Sequence, residues 1–565
     1  MNTVSPEYGM KLIKNRKPLL YGLLVVGILI IVLILYFSPS WQQQPLNKTE
    51  QPKLFLMGNL IEHAICYEEE ELYLSYDFIK EYLDPTIQFN EESKLVIVTT
   101  EENVYHFTVG FKDGLQNLTP YSFTYPVIEK DETIYLPADP LKDYYDLDIY
   151  EDKKALLVWL HNLGQPIQQG KVIAEGKLRH QNIYRSPWSS VIGKDEVVSI
   201  LKEEEGWYWV ETKDGRMGYL GEDKVELSQI IVSQVPTKIY PPWNPLQKPV
   251  IVTWEHAGDK TVDSRTLGEM EGLQVVSPTW FHLREDGLIV NRADKRYVQW
   301  AHQKGLQVWG LFDNDFDPDL THTFLHDPEL RIKAIRQLLS LVELYELDGI
   351  NLDFENMYLK DKEAYVQFVR ELAPLLHEKE RLLTVDVTFH SRSETWSMCY
   401  DRVGLAEVAD YLMVMGYDEN GSGSSSAGSV SSLPWVEKGL EKMLEEVSAD
   451  KLILGIPFYT RLWIETIDEI GKISLTSKAL SMVTAEKWIV EHNAQIQIDE
   501  TARQHYVEVK EGDTTYRMWL EDEFSQNKRI ELMKKYRLAG ISAWRRGYEP
   551  EETWPLLAEL AQRVW

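Results

Sequence analysis

The segment Asp348-Gly-Ile-Asn-Leu-Asp-Phe-Glu355 sets polar and apolar residues at alternate positions. A β-strand repeats every two residues, so Asn351, Asp353 and Glu355 share one face while Ile350, Leu352 and Phe354 share the other. Two carboxylates two apart on one strand face lie roughly 6–7 Å apart. At that separation an ionised Asp353 raises the pKa of Glu355 and keeps it protonated as a general acid. A protonated carboxylic acid beside a charged one is an arrangement that cleaves glycosidic bonds. Leaving these groups unpaired in an interior costs several kcal/mol, and a solvated face would require an exposed edge strand.

Elements that position such a pair recur on either side of it. From residue 250 onward, apolar strand-like runs fall at 250–254, 273–278, 306–312, 347–355, 382–389, 411–417, 452–458 and 538–544. Between several of them, stretches such as RIKAIRQLLSLVELYE and EAYVQFVRELAPLLHE carry apolar residues at helical spacing with charges opposite. Eight strands alternating with helices predict a (β/α)8 TIM barrel, whose catalytic groups stand where strands end at the C-terminal face. The residues ending or directly following these runs include Trp254, Glu355, Tyr417, Tyr459 and Trp544, although an aromatic there can also simply close the barrel. A closed barrel has no edge strand, so Asn351, Asp353 and Glu355 are expected to point into it.

The chain has 565 residues, too many for one core, and a formal net charge of −30, which opposes binding to a phosphate backbone; no nucleic acid is expected as a partner. Cys66 and Cys399 stand far apart, so neither a disulfide framework nor a thiolate metal cluster is expected, and no metal or cofactor is called for. Leu19–Phe37 is an uncharged apolar run of 19 residues. At ~1.5 Å per residue such a run matches the ~30 Å hydrocarbon core. Lys11, Lys14, Arg16 and Lys17 precede it and no Lys or Arg follows until Lys48. The positive-inside rule then predicts a single-pass anchor in the cell membrane with a cytosolic tail at 1–18 and everything after Ser38 outside. A cleaved signal peptide is the alternative, but LYFSPSW offers no A-x-A-like site.

Two further modules are expected between the anchor and the barrel, after a short linker at 38–54. A repeat offset by 62 residues pairs Tyr73 with Tyr135, Asp77 with Asp139 and Val96 with Val158, predicting a duplicated α+β domain over 55–162. Residues 175–228 hold short strands and the Asp214-Gly215 turn, the signature of a small all-β barrel. A Pro-rich linker occupies 229–249.

Several of these segments resemble known families. DGINLDFE resembles the D-x-x-D-x-D-x-E signature of glycoside hydrolase family 18, Met415-Gly-Tyr-Asp418 resembles its M-x-Y-D motif, and Trp544 matches its tryptophan beneath the cleaved sugar. DGINLDFEN, YDEN, SLPWVEKGL and GISAWRRG are similar to the versions found in bacterial spore-cortex and germination hydrolases. The repeat resembles a copper amine oxidase N-terminal-like stalk domain. No histidine cluster is seen in it, so the reading is a spacer. GW-x-x-V and DG-x-x-GY resemble a bacterial SH3-like domain, whose aromatics bind wall peptides or fill the barrel core. The family 18 resemblance implies that Glu355 protonates the leaving oxygen while the substrate's own 2-acetamido oxygen is the nucleophile. It further implies that Asp353 orients the acetamido group and balances the positive charge, Tyr417 bonds the acetamido oxygen, Asp418 holds a sugar hydroxyl or the acetamido group, Tyr459, Arg461 and Trp544 line the groove, and Asp348 is structural; Asn351 and Trp254 are expected among the substrate-binding residues as well. An α+β insertion over about 459–537 is implied as well, with Tyr506 and Trp519 either walling the groove or forming the insertion's own core. Asn351 departs from the family's usual Asp; its amide is able to donate to Asp353. At the third strand, Trp309–Phe312 followed by Asp313-Asn314-Asp315 replaces the family's S-x-G-G. The implied substrate is an N-acetylglucosamine-containing polysaccharide, peptidoglycan ahead of chitin. A glycan-binding protein without turnover is the alternative.

Overall fold

The structure, a computed structural model, describes residues 21–22, 24–28, 43–46, 51–234, 246, 249–258, 263–264, 267–268, 270–467 and 472–562. The expected anchor at 19–37 and linker at 229–249 fall mostly outside them. Among the described residues no helix is long and apolar enough to cross a membrane. The chain divides into two compact units, one of residues 1–87, 108–112 and 123–239, the other of residues 88–107, 113–122 and 240–565.

In the first unit the strand pair Ile65–Glu68 and Glu71–Ser75 leads into a helix at Tyr76–Tyr82. The same order returns as Ile128–Lys130, Thr133–Pro137 and a helix at Ala138–Tyr144. The copies join through antiparallel strands, with Leu74 opposite Leu136. Residues 166–232 form a seven-stranded antiparallel sheet around Val172, Leu178, Val198, Tyr208, Val210 and Leu220. Tyr208 of the GW segment therefore belongs to this sheet's own core.

The second unit is a closed parallel barrel. Its strands are β1 (Val250–Glu255), β2 (Val275–Leu283), β3 (Gln307–Asp313), β4 (Gly349–Asp353), β5 (Leu382–Thr388), β6 (Tyr411–Met415), β7 (Leu452–Pro457) and β8 (Gly540–Trp544). They pair in chain order, and β1 pairs with both β2 and β8. Gly540 opens β8 because a Cβ there would lie 2.0 Å from the Val250 carbonyl oxygen. Val252, Trp254, Trp309, Leu311, Met413 and Ile453 fill the barrel interior. Ile350, Leu352 and Phe354 pack instead in the layer between sheet and helices, as the period-2 reading of β4 requires.

The helices positioning the rim start in a regular way. Asp317 and Asp327 accept backbone N–H groups at the starts of α1 (Pro318–His326) and α2 (Pro328–Tyr345), each with proline in the first turn. The helix α3 (Lys362–His377) follows β4 and is held to α2 by a buried ion pair, Arg331 Nη2 to Glu371 Oε1 at 2.8 Å. The antiparallel sheet of residues 88–122 falls largely in this unit. Its Asn117 donates to Glu378 Oε2 at 3.3 Å, at the end of α3, and its buried His106 lies in the field of Glu371, Arg331 and Arg336.

After β7 comes a five-stranded sheet formed by Tyr459–Ile467, Ile473–Ser481, Gln497–Asp499, Gln504–Glu511 and Thr514–Trp519, with a helix at Met482–Glu491. The α+β insertion thus ends near Leu520. The remainder of the expected 459–537 stretch is α4 (Glu523–Tyr536), started by a reciprocal Asp522–Ser525 cap and leading directly into β8.

Candidate active site

The polar residues of β4 do face the barrel interior. Asn351 is 0% exposed and Asp353 7%, while Glu355 stands two residues on at the rim. Glu355 is fixed through its backbone: its N–H donates to Asn314 Oδ1 at 3.0 Å, and Asn314 Nδ2 donates to its carbonyl at 2.7 Å. Asn314 extends the β3–β4 pairing past the end of β4, and its amide also donates to Thr321 Oγ1 on α1 at 2.7 Å. Asp313 ends β3 facing His282, whose Nδ1 lies 2.8 Å from Asp313 Oδ2. The departure at the third strand therefore supplies both a backbone clamp on Glu355 and a further carboxylate beside it.

Beneath the rim lies a residue that sequence reasoning did not single out. Asp386 of β5 is 1% exposed, accepts from Asn351 Nδ2 at 2.8 Å and accepts from Trp254 Nε1 at 3.2 Å. Asn351 Oδ1 in turn accepts from Trp254 Nε1 at 3.0 Å and from Ser277 Oγ at 2.9 Å. The amide of Asn351 is thus spent on Asp386 rather than on Asp353, contrary to the expectation. Trp254 and Asn351 were expected among the substrate-binding residues; both are buried, and their polar atoms hold Asp386. The alternation Thr384, Asp386, Thr388 within Leu382–Phe389 was the available signal, an inward polar set like that of β4.

Burial governs protonation here. Glu355 is raised to about 7 by loss of solvent first, then by the like charges of Asp418 and Asp313. Asp353 is pushed well above the usual carboxylate range by burial, then by Glu355, Asp386 and Asp313. Asp386 is also raised by burial, against which the hydrogen bonds from Asn351 and Trp254 favour its charged form. Asp353 Oδ1 is buried without a hydrogen-bond donor, so of the two deep carboxyls Asp386 is better equipped to carry charge. The expectation that an ionised Asp353 keeps Glu355 protonated therefore needs correction. Exclusion of water does most of that, aided by Asp418 and Asp313.

The aromatic side of the rim comes from β1, β6, β7 and β8. Trp254 and Trp544 meet edge to face at 5.9 Å, and Trp254 and Tyr417 at 6.3 Å. Tyr417 follows β6, and burial together with surrounding carboxyls keeps its hydroxyl protonated. Asp418 takes a left-handed backbone, φ 61°, which turns its side chain out to accept the Tyr459 hydroxyl at 2.5 Å. Arg461 donates to Ser477 at 3.1 Å within the insertion sheet, while its Nε is buried without an acceptor. Asp348 accepts from the Val308 N–H at 2.8 Å and pairs with His302 at 2.9 Å, holding the start of β4 as expected for a structural residue. Tyr506 and Trp519 meet at a tilt with ring centroids 4.9 Å apart and line a cleft of about 650 Å³ with Asp499, Arg517, Glu465 and Ser426. That cleft belongs to the insertion and the loop after β6; Asp353, Glu355 and Tyr417 do not line it.

Residues 309–549 match the family model described as Glycosyl hydrolases family 18. Residues 309–549 of the barrel thus carry a glycoside hydrolase family 18 domain. The uncharacterized glycosylase YvbX of Bacillus subtilis is 26% identical over 50% of this chain and 83% of its own length. The cortical fragment-lytic enzyme of Bacillus anthracis is 27% identical over 49% of this chain and 66% of its own length. The crystal structure of the C-terminal domain of a chitinase candidate from Desulfitobacterium hafniense shares the fold at a TM-score of 0.50 and 22% identity, covering 55% of this chain and 99% of that one. In the glycosidase domain, the arrangement provides an acid that titrates near neutrality, a hydroxyl donor close by and carboxyls in the buried floor. Those groups can protonate a glycosidic oxygen while a neighbouring charge stabilises an oxocarbenium-like centre.

Proposed function

We propose that this chain is a membrane-anchored, extracytoplasmic glycosidase that hydrolyses β-1,4-linked N-acetylglucosamine-containing polymers, peptidoglycan ahead of chitin. The observation carrying this reading is Glu355, clamped by Asn314 at the mouth of the barrel and raised to about 7 above the buried Asp353. In this mechanism Glu355 protonates the leaving oxygen. The substrate's acetamido oxygen attacks the anomeric carbon with retention, Asp353 orients the acetamide, and Tyr417 donates to its oxygen. Asp386, held by Asn351 and Trp254, supports this floor from below as positive charge develops at the anomeric carbon. Asp418, fixed by Tyr459, holds a sugar hydroxyl, and Trp544 gives the sugar an apolar floor.

The apolar run at 19–37 with its preceding basic residues supports the anchor, and the kinship with a cortical fragment-lytic enzyme supports a wall-type substrate. The repeat domain and the SH3-like domain serve as the spacer that sets the barrel's reach. Asn351, standing where a carboxylate is usual, favours a second reading in which the domain binds glycan without turning it over. Incubating residues 230–565 with purified peptidoglycan and with chitin, and identifying the products by mass, separates the two readings. Release of fragments ending in N-acetylglucosamine supports hydrolysis, whereas binding with no released sugar supports the second reading.

A further inference from the structure

Outside the barrel mouth, one cluster of ligand-type side chains converges without a role in the chemistry above. His322 and His326 stand one turn apart on α1, and Asp361 precedes α3. His322 Nδ1 lies 2.6 Å and His326 Nε2 3.0 Å from the same oxygen of Asp361. The two imidazole rings are 4.6 Å apart. We propose that His322, His326 and Asp361 form a binding site for a divalent transition-metal ion of the zinc type, with the remaining coordination position open to solvent.

Three features point to a ligand. Asp361 is fully buried, 0% exposed, yet its second carboxylate oxygen has no hydrogen-bond partner, a costly arrangement for a carboxylate facing only two imidazoles. Asp361 also occupies the N-cap position of α3, where an Asp ordinarily accepts a backbone N–H, and its side chain makes no such bond. It is turned away from the helix it precedes and toward the histidines. Finally, the donor set suits the ion. Two imidazole nitrogens four residues apart on one helix face, with one carboxylate, constitute a borderline-soft N2O set. Zinc holds such ligands at ~2.0–2.1 Å, which places tetrahedral donors roughly 3.4 Å apart. The present separations of 2.6 and 3.0 Å need to open by only a few tenths of an ångström up to under one.

One group competes with the ion. Lys360 Nζ lies 3.2 Å from His322 Nε2, a contact in which the ammonium donates, so His322 carries its proton on Nδ1 toward Asp361. A metal at Nδ1 displaces that proton, and the exposed Lys360 side chain swings off to let Nε2 take a hydrogen. The ion would join α1 to the segment that runs from Glu355 to α3, alongside the Asn314–Thr321 link to the same helix.

The test is zinc binding to the full chain, stripped of metal, followed by isothermal titration with zinc chloride in competition with a chelator of known affinity. Cobalt(II) substitution supplies a visible absorption spectrum diagnostic of a low-coordinate site. The expected result is one saturable site per chain. It is weakened at least about tenfold in His326→Gln, whose exposed position spares the fold, and in His322→Ala, whereas Lys360→Met binds a few-fold more tightly. Melting temperature should rise with zinc in the parent and not in His326→Gln. The proposal is overturned if no saturable site is found, or if zinc binds with the same affinity and cobalt spectrum in His326→Gln and Lys360→Met as in the parent. None of these readouts depends on glycan hydrolysis.

Discussion

Replacing Glu355 by Gln should make the protein more stable, and more so as pH rises. Burial and like charges hold the Glu355 carboxyl at about 7 in the folded chain, against an ordinary 4.5. A folded-state value above the unfolded one means that the native state binds the proton more tightly. Ionising the group above pH 4.5 therefore costs stability, and the cost grows until the pH passes about 7. At ~1.36 kcal/mol per pH unit, the interval from 4.5 to about 7 amounts to about 3 kcal/mol. Gln keeps the shape and removes the charge. Urea unfolding of parent and Glu355→Gln at pH 4 and pH 8 should show nearly equal stability at pH 4 and a gain of about 3 kcal/mol for the variant at pH 8. Such a gain would mark a group kept at the site for chemistry at the expense of stability. A difference between the two proteins that does not change with pH would refute the reasoning, because it would place Glu355 in a solvated environment.

Other outcomes follow from the same geometry. The alkaline limb of kcat/KM should fall near pH 7, since Glu355 must be protonated, and Asp313→Asn should move that limb to lower pH by removing one of the like charges. His106 is held down to about 4, chiefly by burial. Its unfolded form accepts a proton near ~6.5, so stability should fall as pH drops from about 6.5 to 4 and His106→Leu should flatten that loss in acid-denaturation curves. Truncating the buried Arg331 to Met leaves Glu371 uncompensated and should cost about 3–5 kcal/mol in urea unfolding at neutral pH.

What the sequence made legible was whatever lies within one strand or one repeat. The alternation in Asp348–Glu355 placed Asn351, Asp353 and Glu355 on the inner face, and the 62-residue offset recurs as two strand–helix copies because each is a local pattern. Partnerships across strands were not legible. Asp386 is linked to Asn351 only through the β4–β5 register, and the Asn314 clamp on Glu355 arises because β3 and β4 run side by side past their last ladder bonds. The direction of the Asn351 amide is fixed by Trp254 and Ser277, from strands far away in sequence. The end of the insertion was misplaced because EFSQNKRIELMKKY has no continuous apolar stripe. Its burial comes from Arg529, paired with Glu521 at 2.7 Å, and from Gln526 and Ser525 as much as from Ile530 and Met533.

The most direct test of the account is turnover of an N-acetylglucosamine oligomer by Glu355→Gln beside the parent, with binding measured on the same samples. The account predicts a fall in kcat of at least about 100-fold with affinity retained. Turnover within a few-fold of the parent would contradict it, because the proton would then come from some other group.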